Sequence, residues 1–113
     1  MHINIDLSYL ESMSGGDKEL MNEMIDIFKE QVPEFVSEMR TCLHEKDYKG
    51  LAAIAHKAKS SISIIGLVEL INDLNIFEKD VNEVANQGTY EKFINNFEST
   101  CNSAISQLEN MIL

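Results

Sequence analysis

The residue best placed to do chemistry is His56, whose neighbours on a helical stretch, Ala52, Ala53, Ser60 and Ser63, are all small. On a wheel of about 100° per residue with Leu51 at zero, the apolar stripe centres near the origin and His56 falls at about 140°. The ring is therefore expected to face solvent. A lone exposed histidine is ordinarily just surface, but this low surround leaves the ring standing proud, where a bulky partner can reach its far nitrogen. Lys59 lies one turn along, on the flank of the same face. A cation there opposes protonation and keeps the imidazole neutral and nucleophilic near pH 7. It also suits an anionic group arriving at the ring.

A third chemical group comes from a later helix. Glu78 falls within an apolar stripe formed by Leu67, Ile71, Leu74, Val81 and Ala85, where a carboxylate without a partner is costly. His56 stands ten residues before Gly66 and Glu78 twelve after it, so antiparallel packing brings the two to nearly the same height. One reading has Glu78 accept the Nδ1 proton of His56, which fixes the tautomer and leaves Nε2 free to attack. The other pairs it with Lys59 or a serine hydroxyl, or lets it snorkel to water.

These side chains need helices to position them, and apolar residues recur at helical spacing along the whole chain. A short piece over Asp6 to Met13 precedes a break at Ser14-Gly15-Gly16-Asp17, where Asp17 is a suitable N-cap. A long helix from about Lys18 to Glu45 carries Leu20, Met24, Phe28, Val32, Phe35, Met39 and Leu43 on one stripe, and Pro33 predicts a kink or a split within it. Asp47 caps the helix bearing His56, which runs to about Ile65, with Gly66 as its stop. The Glu78 helix follows at once. Asn86-Gln87-Gly88 ends it, and Thr89 is expected to cap a last helix carrying Tyr90, Phe93, Phe97, Cys101, Ala104, Leu108 and Met111. Short links between long amphipathic helices imply an all-α, antiparallel up-down four-helix bundle with a short additional N-terminal helix. Residues 1–113 show no repeat or composition break and are expected to form one domain.

Charge narrows the partners. A formal net charge of -10 leaves few cations to neutralise phosphates, which argues against nucleic acid and against an anionic membrane surface. Five of the nine lysines and arginines nevertheless fall between Arg40 and Lys59, so that segment suits a negative group. No stretch approaches the roughly 20 apolar residues of a membrane span. The first residues lack the basic and apolar blocks of a secretory signal, so a cytoplasmic location is expected. Cys42 and Cys101 are read as free thiols serving as small hydrophobes.

The run His56-Lys57-Ala58-Lys59-Ser60-Ser61, followed by Gly66, resembles the signature of histidine phosphotransfer (HPt) domains. The likeness extends to Asp17, Leu20, Phe28, Pro33 and Glu34, to Asp47 and Leu51, and to Leu70, Leu74 and Glu78. The family usually has glycine where Ser60 stands, often glycine at Ser63, and alanine at Leu67. The serines stay small, so access to His56 survives, and the bulk of Ile64 and Leu67 bears on partner choice. The resemblance implies a carrier without kinase activity of its own, phosphorylated on Nε2 of His56, with Lys59 stabilising charge. Its partners would be receiver domains or a hybrid sensor histidine kinase. The receiver would supply Mg²⁺, and this domain would bind no cofactor. Ile64 falls at about 220° on the wheel, outside the core stripe. With Leu67 and the exposed edge of the second helix it is expected to form an apolar docking patch beside Lys57, Ser60 and Ser63. Polar outer faces leave no obvious second seam, so a monomer is expected.

Other classes fit less well. Di-iron bundles use Glu-x-x-His pairs, but Ala53 and Thr41 occupy the glutamate positions before His56 and His44, and His2 lies beyond the bundle. No glycine-rich phosphate loop or nucleophile motif marks a hydrolase or a kinase. The alternative is a structural or adaptor bundle that has lost phosphotransfer, against which the retained His56 and Lys59 argue.

Overall fold

The computed structural model describes residues 3–112, so His2 falls outside the described residues. Five helices follow one another: α1 (Ser8–Ser14), α2 (Lys18–His44), α3 (Tyr48–Ile65), α4 (Val68–Asn82) and α5 (Tyr90–Ile112), with a 3-10 turn at Gln87–Thr89. Cross-helix contacts give their directions. Ser61 on α3 donates to Gln31 on α2 at 2.8 Å, while Lys29 and Arg40 on α2 pair with Glu109 and Glu98 on α5. Residue numbers that rise along one helix fall along its neighbour, so the neighbours are antiparallel. The all-α bundle expected from periodicity is present, with α1 packed across α2 and α3. Buried residues from all five helices join one hydrophobic core.

The caps follow from side-chain chemistry. Asp17 Oδ1 accepts from the backbone N–H of Glu19 at 2.9 Å, and Asp47 Oδ1 accepts from that of Gly50 at 2.9 Å. Each satisfies an N–H that the first helical turn leaves without a partner. Thr89 does not cap α5 in this way. Its hydroxyl donates back to the Asn86 carbonyl at 2.7 Å, within the 3-10 turn.

Of the kink or split expected at Pro33, the split does not occur, and α2 continues unbroken to His44. One N–H is lost at the proline, but Val32, Phe35 and Val36 are buried on either side and hold the backbone in helical register. The buried stripe also starts one residue later than expected. Met21 and Ile25 enter the core, while Leu20 is 38% exposed and Met24 only half-buried. On α4, Phe77 is buried beside Leu74 and Val81. Cys42 and Cys101 are free thiols. Burial of Cys101 in the core pushes its thiol up to about 12.

Leu67 also departs from expectation: placed at the docking surface by the sequence, it is 1% exposed. The segment ahead of α1 straps across the α3–α4 turn. Asp6 N–H donates to the Gly66 carbonyl at 2.8 Å, and Ile5 pairs with Leu67 in an isolated antiparallel bridge. Gly66 has φ +85°, and a side chain there would also collide with the Asp6 carbonyl. Glycine is thus required twice over, by backbone conformation and by the strap. Leu67 is core.

Candidate functional site

His56 leaves the solvent side of α3 with its side chain 71% exposed. Nδ1 lies 3.1 Å from Oε2 of Glu78, which α4 carries alongside. The other oxygen of that carboxylate, Oε1, meets Nζ of Lys59 at 2.5 Å. The two readings of Glu78 open at the level of sequence therefore coexist, one on each oxygen. Lys59 sits one turn from His56 on α3, so a single carboxylate from α4 gathers both groups.

Electrostatics follow from this geometry. The hydrogen bond from Lys59 holds the Glu78 carboxyl below the usual carboxylate range, against partial burial that pushes it up, with a smaller contribution from His56. Glu78 is thus an anion and can only accept. In the neutral ring its proton then sits on Nδ1, and the Nε2 lone pair faces outward. The carboxylate is 19% exposed, so its partners are what make its place beside the apolar face of α4 tolerable.

The ground around the ring is low, with one amendment. Ala53, Ser60 and Ser63 lie at the surface, whereas Ala52 turns inward and is buried. A hollow of about 490 Å³ opens beside the ring, lined by Tyr9, His56, Lys59, Ser60, Ser63 and Ile64. Tyr9 escaped the sequence reading, because only the packing of α1 across α3 brings it there and no periodicity encodes that. Ile64 is half-buried and forms a ridge between this hollow and a second one. That second hollow, about 140 Å³, is lined mostly by apolar residues, among them Met24, Ile27 and Phe28 of α2. Ile27 is 56% exposed. The structure therefore joins Ile64 to the α2 edge and to the His56 clearing, and removes Leu67 from that surface. Lys57 is exposed on α3 but does not line either hollow.

A bundle presenting an exposed, carboxylate-held histidine beside a lysine offers one free ring nitrogen to an incoming anionic group. The family description "Hpt domain" matches residues 23–112, and the chain belongs to the Hpt domain family. No curated protein and no solved structure matches it. Hpt domains serve histidine phosphotransfer in phosphorelays, as phosphocarriers rather than kinases, and work with receiver domains and kinases. Helix α1, which brings Tyr9 to the site, lies ahead of the matched residues. Among the described residues no helix is long and apolar enough to cross a membrane.

Proposed function

We propose that this chain carries a phosphoryl group on Nε2 of His56 between the aspartates of receiver domains. The supporting observation is the two-sided arrangement of the ring, with Nδ1 against Glu78 and Nε2 open to solvent. In the forward step the Nε2 lone pair attacks the phosphorus of an aspartyl phosphate. An N–P bond forms as the P–O bond to the aspartate breaks, and the aspartate leaves as a carboxylate. The ring gains positive charge in this step, and Nδ1–H, donating to Glu78, places that charge against an anion, as a buried aspartate does for a catalytic histidine. The reverse step returns the phosphoryl group to a receiver aspartate.

Phosphoryl transfer asks mainly for in-line positioning and charge stabilisation. Lys59 supplies a cation within reach of the incoming oxygens, and the receiver supplies Mg²⁺. Ile64 and Ile27 offer the apolar contact for a receiver's helix, with Ser60 and Ser63 keeping the approach clear and Lys57 and Lys59 facing its acidic pocket. Helices α1 to α5 share one core, so the chain acts as one module. The free thiols suit a reducing cytoplasm, and the mutual repulsion of copies of net charge -10 suits a monomer.

The test is direct. Incubated with a phosphorylated receiver and Mg²⁺, the protein should gain an acid-labile, alkali-stable phosphoryl label, lost in His56→Gln and kept in His44→Gln. A label that persists on His56→Gln overturns this reading.

A further inference from the structure

The four long helices do not close evenly. Helix α4 packs closely on α3, and α5 on α2, while the seam between α4 and α5 is the most open of the bundle. Two adjoining hollows of about 290 and 310 Å³ run along that seam and meet at Asp73 and Asn96. They extend on α4 from Glu69 to Asp80, which at 1.5 Å per residue is roughly 16 Å, or three helical turns. Part of the seam is apolar. Phe77 and Phe93 stack across it with ring centroids 3.9 Å apart and planes 11° from parallel, and Ile76 stands 54% exposed beside them. Its rim is acidic, with Glu69, Asp73 and Asp80 against the single cation Lys92.

We propose that the α4–α5 seam docks a basic amphipathic helix of a partner protein. Charge complementarity selects the occupant. A second copy of a chain with net charge -10 would bring acid to acid, whereas a helix with lysines or arginines flanking an apolar stripe meets the rim with opposite charge. Backbone chemistry selects a helix over an extended peptide. The groups of α4 and α5 are spent within their own helices and offer a strand no edge, while a helix arrives with its own bonds already made. The seam is also independent of the histidine. Asp73, Ile76 and Asp80 lie roughly 140–160° around α4 from Glu78, so an occupied seam leaves the His56 clearing open.

The experiment titrates the whole protein with a synthetic 18-residue Leu/Lys peptide whose leucines fall at i, i+3, i+4 and i+7, read by amide chemical shifts. The expected result is a set of shifts concentrated on residues 69–80 and 89–100. Binding should weaken at least tenfold in Ile76→Asp and in the Asp73→Lys/Asp80→Lys double variant, with the circular dichroism of a folded bundle retained. A peptide of the same composition, scrambled to lose its apolar face, should bind at least tenfold more weakly than the amphipathic one. Shifts centred on the α2–α3 face, shifts spread over the acidic surface, equal binding of the scrambled peptide, or no binding at all would each overturn the proposal.

Discussion

Glu78 Oε2 lies 3.1 Å from His56 Nδ1, although 22 residues and a helix reversal separate them along the chain. If this contact orients the ring for attack, Glu78→Ala should slow phosphoryl uptake by roughly ten- to a hundredfold, by analogy with losing the carboxylate that holds a metal-ligating histidine. Glu78→Gln should lose less, because its amide oxygen still accepts the Nδ1 proton. Stopped-flow transfer from a phosphorylated receiver measures both, and wild-type rates in both variants would reduce Glu78 to the partner of Lys59.

The Lys59–Glu78 pair carries a pH signature. Glu78 titrates below its ordinary value in the folded protein, chiefly through Lys59. Its stabilising contribution is therefore fully present above the unfolded-state carboxylate range and is lost as pH falls through the lower folded value. On acidification below about pH 5, where carboxylates titrate, the melting-temperature difference between wild type and Glu78→Gln should shrink. A difference that grows with acid would reverse the assigned sign.

Docking and packing separate at Ile27 and Leu67. Ile27 is mostly exposed, so Ile27→Asp should weaken receiver binding by roughly 1–3 kcal/mol, the scale of a significant interface residue, with little change in stability. Half-buried Ile64 sits between the two hollows, and Ile64→Asp should lose both affinity and some stability. Leu67→Ala should cost roughly 2–5 kcal/mol of stability, as a core truncation does. Calorimetry of binding and of unfolding on the same three variants distinguishes these outcomes.

Gly66 is the joint on which the strap depends. Gly66→Ala places a Cβ at positive φ and against the Asp6 carbonyl, and should destabilise the protein by at least about 1–2 kcal/mol. Amide exchange at Asp6, whose N–H donates to Gly66, should quicken in parallel. An unchanged melting temperature would show that the strap is dispensable.

A carrier should also be inert towards nucleotide. With ATP and Mg²⁺ alone the protein should neither hydrolyse ATP nor label itself. Self-labelling of a pure sample would reveal a kinase activity that the family assignment does not anticipate.

The sequence alone determined the number and order of helices, the caps at Asp17 and Asp47, and the height match of His56 and Glu78 across Gly66. All of these rest on spacing and local chemistry, which a linear string encodes directly. It also brought Lys59 and Glu78 forward, since a carboxylate within an apolar stripe demands a partner whatever the fold. It could not decide between equivalent faces. Leu20 and Met21, like Met24 and Ile25, are adjacent apolar pairs, and only the angle at which α2 meets its neighbours chose the second of each. Leu67 looked free because it follows a helix end, and the strap that buries it comes from Ile5 and Asp6, some sixty residues earlier. Tyr9 reached the His56 hollow by the same kind of long-range packing. The division of Glu78 between two partners was likewise tertiary, because whether one carboxylate reaches both nitrogens depends on the rotation of α4 against α3, to which helical periodicity is blind.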